Sequence, residues 1–251
     1  MPDNLILSLR GIEKSFRAGK TVKPVLRGVE LELRRGEMLG LVGESGCGKS
    51  TLVNVILRIL STDRGHIVFE GRDITQLSFR EMLPLRRQLQ AVFQSTAAGM
   101  DPRMKIRRML TEPLRNFRIP YTEEDLLSIM ETVALPSELL DRRPGQLSGG
   151  QKQRAAIARA LLPQPELILF DEVTSNLDTV MAQRIAELIR SLQAERALSC
   201  IFVTHDVSLA LAYCDRIAVM RDGRILETFA PRDEAREEYT RSLLESVSFD
   251  W

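Results

Sequence analysis

Leu41-Val-Gly-Glu-Ser-Gly-Cys-Gly-Lys-Ser-Thr51 fits the pattern G-x-x-x-x-G-K-[ST], with Gly43, Gly48, Lys49 and Ser50 in the fixed places. A polyphosphate needs many hydrogen-bond donors in a small volume. Gly43, Gly46 and Gly48 let the backbone, with Glu44, Ser45 and Cys47 between them, turn tightly and aim successive N–H groups at one anion. Lys49 adds a point charge for β and γ oxygens, and the Ser50 hydroxyl suits Mg²⁺. Thr51 follows at a helix start, whose positive end also favours anions. The flanks agree: Gly36-Glu-Met-Leu-Gly-Leu-Val42 reads as a turn and buried strand, and Leu52 to Leu60 as a helix. A Gly-rich turn without a ligand is the plainer alternative. It leaves the lysine and two hydroxyls in register unexplained.

The chain has 251 residues, 44% hydrophobic and 27% charged, enough to bury a sizeable core. A net charge of +1 gives no polyanion-seeking field and no acidic tail. Cys47, Cys200 and Cys214 are widely spaced and odd in number, which fits neither a disulfide framework nor a metal pattern and suits a reducing cytoplasm. The opening Met-Pro-Asp-Asn-Leu-Ile lacks the basic start and apolar core of a signal peptide. No apolar run approaches the roughly 18 residues of a spanning helix, so any work at a membrane runs through a partner.

Along the chain, Leu5–Arg10 and Val25–Leu33 read as strands, with Arg17–Pro24 as a polar loop between them. His66–Glu70 and Leu89–Gln94 are further strands, and Ser78–Arg87 reads as a helix interrupted by Pro84. Residues 95–162 change character to helical patterns broken by Pro and Gly: Met104–Phe117, Glu123–Val133 and Gly149–Leu162. The expected architecture is therefore a single α/β domain. Its P-loop NTPase core comprises residues 1–94 and 163–251, with an antiparallel β portion, and residues 95–162 form an inserted helical subdomain. Leu167–Glu172 and Ser199–Thr204 are buried strands, and Met181, Ile185, Leu188 and Leu192 share a helix face. Arg216–Thr228 reads as a hairpin around Asp222-Gly223.

Asp171 and Glu172 end a buried strand downstream of the P-loop. There the first acid can hold Mg²⁺ through water, and the second can activate an attacking water. Two adjacent acids at a strand end are common, and only the P-loop gives them this meaning. Leu147-Ser-Gly-Gly-Gln151 is the second decisive motif. Ser148 and the amides of Gly149 and Gly150 stand at a helix N-terminus, an anion site, although a lone S-G-G is more often a simple loop-to-helix junction.

With these motifs in this order, the sequence resembles the ATP-binding subunits of ABC transporters over nearly its whole length. In that family L-S-G-G-Q is the signature motif, and two subunits pair head to tail so that each signature closes over ATP on the other's P-loop. The resemblance implies an ATPase using ATP and Mg²⁺. Phe16 takes the place of the aromatic that stacks on adenine. Gln94 matches the glutamine that touches Mg²⁺ or the attacking water, and His205 the histidine that contacts the γ-phosphate. Ser175-Asn-Leu-Asp178 matches the loop that crosses the dimer interface. Read on residues alone, Phe16 would be core, Gln94 a loop-entry residue and His205 a strand-end cap. Val173 replaces the usual Pro and Asn176 a common Ala, and neither change removes a carboxylate. Cys47 places a thiol in the loop that alkylation could reach and ATP would protect. His66 matches no motif and is expected at the surface.

Arg86-Arg-Gln-Leu-Gln-Ala-Val-Phe-Gln-Ser95, Met100-Asp-Pro-Arg-Met104 and Glu238-Tyr-Thr-Arg-Ser-Leu-Leu244 are similar to segments of the oligopeptide, dipeptide and nickel importer group. The last segment read alone is an amphipathic helix. Peptide-type subunits often continue into a Cys-containing extension, whereas this chain stops at Trp251, which leans towards the nickel or metallophore branch. The resemblance implies two transmembrane permease subunits, a second homologous ATPase (a different chain or a copy of this one) and an extracytoplasmic solute-binding protein. It implies a peripheral position on the cytoplasmic face of the inner membrane. The competing reading is a soluble ABC-type ATPase acting on nucleic acid or ribosomes. It lacks support: no heptad run fills the interval from Lys49 to Leu147, and there is one cassette rather than two. A P-loop kinase has no use for a signature motif.

Overall fold

Three strands buried along their whole length organise the molecule: β3 (Met38–Val42), β7 (Leu167–Asp171) and β8 (Ser199–Val203). The structure, a computed structural model, describes residues 4–19, 21–94, 99–175 and 177–245. With β6 (Leu89–Phe93), β9 (Arg216–Arg221) and β10 (Arg224–Phe229) these strands form a six-stranded sheet in the order β10-β9-β3-β8-β7-β6. All its pairs are parallel except the β9-β10 hairpin.

Successive residues of each buried strand enter opposite layers, as period-2 geometry requires. Met38, Ile168, Phe170, Cys200, Phe202 and Val219 face one apolar cluster. There they meet α3 (Ile106–Asn116), α4 (Glu123–Thr132), α5 (Gly149–Leu161), α6 (Thr179–Arg196) and α7 (Val207–Tyr213). Leu39, Leu41, Leu169, Ile201, Val203 and Met220 face a second cluster, shared with α1 (Lys49–Ile56) and an antiparallel sheet. That sheet has the order β2-β1-β4-β5, from β1 (Leu5–Ala18), β2 (Thr21–Arg34), β4 (Arg64–Phe69) and β5 (Arg72–Asp73). Helix α2 (Phe79–Gln88) precedes β6, and α8 (Glu238–Glu245) closes the described chain. The result is layered: helices, a mostly parallel sheet, then α1 under an antiparallel sheet.

The polar stretch expected to be a loop, Arg17–Pro24, is instead the tip of a long β1-β2 hairpin, with Phe16 paired to Lys23 and Arg17 to Val22. Residues 21–24 are all exposed, so the tip carries no hydrophobic alternation to betray a strand. Helix α1 is shorter than the pattern implied, because Arg58 adopts φ 54° just past its end. Pro84 is accommodated within α2, which Ser78 and Glu81 open with a reciprocal capping box. Glu37 ties the two sheets together: its carboxylate accepts from the Arg34 amide (2.7 Å) and from Arg216 Nη2 (3.2 Å).

Phe202 is completely buried on the helical side of β8. Truncation to Ala should lower stability by about 3–5 kcal/mol, through lost burial and the cavity left behind. Urea unfolding measures this; a loss below about 1 kcal/mol would show that the helical layer collapses onto the sheet without it.

Candidate functional site

Parallel register brings the predicted residues together. Leu41 lies opposite Val203, Val203 opposite Asp171, and Asp171 opposite Phe93. The residues that follow these, Gly43, Thr204 with His205, Glu172 and Gln94, leave the sheet along one edge. In open α/β sheets, the crevice beyond the carboxyl ends of the strands is where ligands bind.

At this edge the loop from Gly43 to Gly48 passes between β3 and α1. Gly43 has φ 152°, and a Cβ there would lie 2.1 Å from the Met220 carbonyl oxygen, so only glycine fits. The Gly223 amide donates to the Cys47 carbonyl (3.0 Å), fastening the loop to the β9-β10 turn. The first helical hydrogen bond runs from Leu52 N–H to the Gly48 carbonyl (2.9 Å), and no side chain caps the helix. The amides of Lys49, Ser50 and Thr51 therefore open towards the loop with their donors available to an anion.

The ammonium of Lys49, almost wholly buried, donates to the carbonyls of Gly43 (2.8 Å) and Glu44 (3.0 Å) and lies 3.9 Å from Glu172. A buried cation is thus held by the loop's own oxygens and faces an acid, which spares it the large penalty of isolation. Ser50 Oγ donates to Asp171 Oδ1 (3.2 Å), so the hydroxyl and the carboxylate, one from each side of the cleft, converge. Burial raises the Asp171 carboxyl above its ordinary value, against the Ser50 hydrogen bond and the charge of Lys49, while the charge of Glu172 adds to the rise. Glu172 adopts φ 50°, uncommon for a non-glycine residue, and is fixed there by its amide to Val203 O (3.0 Å) and by Ser175 Oγ on its carbonyl (2.7 Å). Among the described residues no group of three or more His, Cys, Asp or Glu gathers as a metal cage. A hydroxyl and one carboxylate beside a phosphate cradle suit a Mg²⁺ ion that takes its other ligands from phosphate and water.

The remaining predicted residues fall around this cleft. Phe16, 40% exposed on the hairpin with Lys14 Nζ 5.8 Å from its ring centroid, pairs with Lys23, two residues before Val25. Val25 and Leu26 lie against Gly48 at the mouth of the loop. Gln94 and His205 are exposed at their strand ends. Ser148 caps α5 through a capping box with Gln151: Gln151 N–H to Ser148 Oγ at 3.3 Å, and Ser148 N–H to Gln151 Oε1 at 2.9 Å. No hydrogen bond or ion pair among the described residues links residues 148–151 to the chain's own loop at 43–51. Asp178 caps α6 by accepting from the Met181 amide (2.9 Å), and Met181 Cε lies where a Cβ on Gly150 would be (2.4 Å). The start of α6 behind Asp178 and the turn at Ser148–Gln151 thus pack on each other within the protomer. Asn176, residues 95–98 at the start of the expected helical insertion, and Trp251 lie outside the described residues. Cys47 is buried, and burial pushes its thiol up despite Lys49, so it is not an activated nucleophile. His66 is exposed and hydrogen-bonds Asp73 (2.9 Å).

The Met220 carbonyl that wedges against Gly43 and the Arg221 guanidinium had no sequence signal, and Tyr239, on which Arg221 stacks at 4.4 Å, lay in a segment similar to the importer group with nothing to link it to the loop. The Tyr239 hydroxyl donates to Glu44 Oε1 (3.1 Å) across 195 positions of sequence, so only the fold reveals it.

A glycine loop on a helix N-terminus, facing two acids at the end of a parallel strand, defines a P-loop nucleoside triphosphatase. The chain belongs to the ABC transporter family, whose family model matches residues 26–175. It is an ABC-type ATPase and binds ATP. It is 37% identical over 253 residues to a Brucella ovis protein provisionally named as a peptide import ATP-binding protein, covering 98% of this chain and 80% of that one. It is 39% identical over 213 residues to the nickel import ATP-binding protein NikE of Shigella boydii, covering 84% and 80%. Among solved structures it resembles the ATP-binding cassette MJ0796 in a dimeric post-hydrolysis state bound to ADP and Pi (TM-score 0.82, 29% identity, 91% of this chain and all of that one). It also resembles cbiO1 from Clostridium perfringens, part of the ABC transporter complex cbiONQ (TM-score 0.81, 26% identity, 96% and 93%).

The raised Asp171 carboxyl has a stability consequence. Its folded value lies above the unfolded one, so stability falls as pH rises through that interval, and at neutral pH the ionised group is a net penalty. Nucleotide-free Asp171→Asn should melt about 1–3 °C above the parent at pH 7, and the gain should shrink near pH 4. A variant that melts below the parent at pH 7 would contradict this.

Proposed function

We propose that this chain is the ATP-hydrolysing subunit of an importer that takes up nickel, a metal chelate or a di- or oligopeptide across the cytoplasmic membrane. The alignment of Gly43, His205, Glu172 and Gln94 along one sheet edge carries the ATPase part of this reading, and the import part is supported by the names of its relatives. No helix among the described residues is long and apolar enough to cross a membrane, so the chain would sit on the cytoplasmic face through its partners. Those partners are two permeases, with a solute-binding protein on the far side. Residues 1–94 and 163–251 act as the catalytic body and 95–162 as the arm that meets the permeases. A groove between β6, α3 and α5, lined by Phe93, Met100, Met109 and Arg159, adjoins Gln94 and gives the arm a place to receive them.

In this reading Phe16 stacks on adenine, and the amides of residues 43–51 take the phosphates. Lys49 leaves the Gly43 and Glu44 carbonyls for the β and γ oxygens. That exchange swaps two neutral acceptors for charged ones, which strengthens its hydrogen bonds. Ser50, Asp171 and Gln94 would hold Mg²⁺, which neutralises phosphate charge as it develops. Glu172 accepts the proton of the attacking water, oriented by its fixed backbone, and His205 holds the γ-phosphate. A second cassette, a related chain or another copy, covers the nucleotide with its Ser148–Gln151 turn and its Asp178 loop. Closure on ATP and opening after hydrolysis move the arm.

Glu172→Gln removes the base and keeps the size. It should bind ATP like the parent, lose at least about 100-fold in turnover, and accumulate a closed dimer on gel filtration. Parental turnover would remove Glu172 from the role of base. For the transport part, the tagged chain should copurify with hydrophobic permease subunits and support ATP-dependent uptake of nickel or a peptide. Copurification with nucleic acid or ribosomes in their place would contradict it.

A further inference from the structure

The C-terminal helix reaches into the P-loop. Tyr239 and Leu244 of α8 pack against the core, and Thr240 is completely buried. Glu227 on β10 accepts from the amides of Arg236 and Glu237 (3.0 and 3.1 Å), which fixes the segment leading into the helix. The Tyr239 ring is therefore held in place, with the Arg221 guanidinium stacked on one face. Its hydroxyl donates to the side chain of Glu44, the residue whose own carbonyl takes Lys49 (3.0 Å). Burial first, and the Glu44 carboxylate second, raise the phenol, so it stays protonated and remains the donor. Glu44 is otherwise an exposed carboxylate within a loop built to receive a polyanion, and a negative charge free to move there opposes the ligand.

We propose that Tyr239 is a positioning residue for nucleotide binding: from the C-terminal helix it pins the Glu44 carboxylate on the α8 side of the loop, away from the phosphates. The inference rests on the P-loop reading and adds to it a residue far outside the nucleotide motifs. Its signature is electrostatic. Releasing the carboxylate should weaken nucleotide binding, removing the charge should restore it, and salt should mask the difference.

The test uses the full chain, MgATP for steady-state kinetics and ADP for calorimetry. Tyr239→Phe keeps the ring and its Arg221 stack and deletes only the donor. Its KM for ATP and its Kd for ADP should rise about two- to fivefold, the upper figure being the effect of a unit charge that moves from far away to a few ångström from the phosphates in a water-like medium. The value of kcat should move less than twofold, and the nucleotide-free melting temperature should hold. Adding Glu44→Gln to that variant should recover at least half of the loss, and raising the salt to about 0.5 M should shrink it. A purely packing role for Tyr239 would instead lower the melting temperature and show no rescue by Glu44→Gln, and that result overturns the proposal. Parental KM in Tyr239→Phe, with binding abolished in Lys49→Ala, overturns the role of Tyr239 and leaves the P-loop reading standing. Parental binding in Lys49→Ala overturns both.

Discussion

The site depends on one constraint, the register of four parallel strands. With Leu41, Val203, Asp171 and Phe93 side by side, each chain segment leaves the sheet at the same height. A slip by one residue in any of these strands would exchange its two faces, sending Phe170 or Phe202 into the wrong layer. Both faces of β3, β7 and β8 are buried, so such a slip there is heavily penalised. The apolar packing that fixes the fold therefore also fixes the relative positions of Gly43, Glu172, His205 and Gln94. Charge is kept out of the strand interiors and collects where they end.

Local strain and charge balance are concentrated at that edge. Gly43 is wedged against the Met220 carbonyl, and Glu172 is held in a left-handed conformation by partners on either side. Lys49 lies between two backbone carbonyls and an acid, and Ser50 touches Asp171. The backbone of the loop is thus already shaped before a phosphate arrives, and in the proposed cycle binding exchanges side-chain partners, Lys49 trading its two carbonyls for phosphate oxygens. The turn at Ser148–Gln151, in contrast, has its hydroxyl occupied by its own helix cap, and among the described residues no hydrogen bond or ion pair ties it to the loop of the same chain.

Much of this was legible in the sequence because the informative residues are local. The P-loop is contiguous, the buried strands are short apolar runs, and Ser148 and Gln151 form a capping box three positions apart. The β1-β2 hairpin tip reads as a loop in the sequence because it projects into water and shows no alternation. Phe16 and His205 are ambiguous as residue types, and only their resemblance to family positions singles them out. The reason Gly43 must be glycine lies in a carbonyl 177 residues away, and the Tyr239–Glu44 contact spans the whole nucleotide fold. Pairings of that kind carry no periodicity and no motif, so they emerge only from the folded chain.

The central claim is that one protomer's loop is completed by another's signature turn, and a mixing experiment tests it directly. A Lys49→Ala chain has a dead loop and an intact signature; a Ser148→Arg chain has the reverse. Each alone should be nearly inactive. Combined, they form mixed dimers in which one of the two sites has both parts intact, and ATPase activity should return in proportion to those dimers. If the mixture stays as inactive as its components while the two chains demonstrably associate, the site is completed within one chain and the account is wrong.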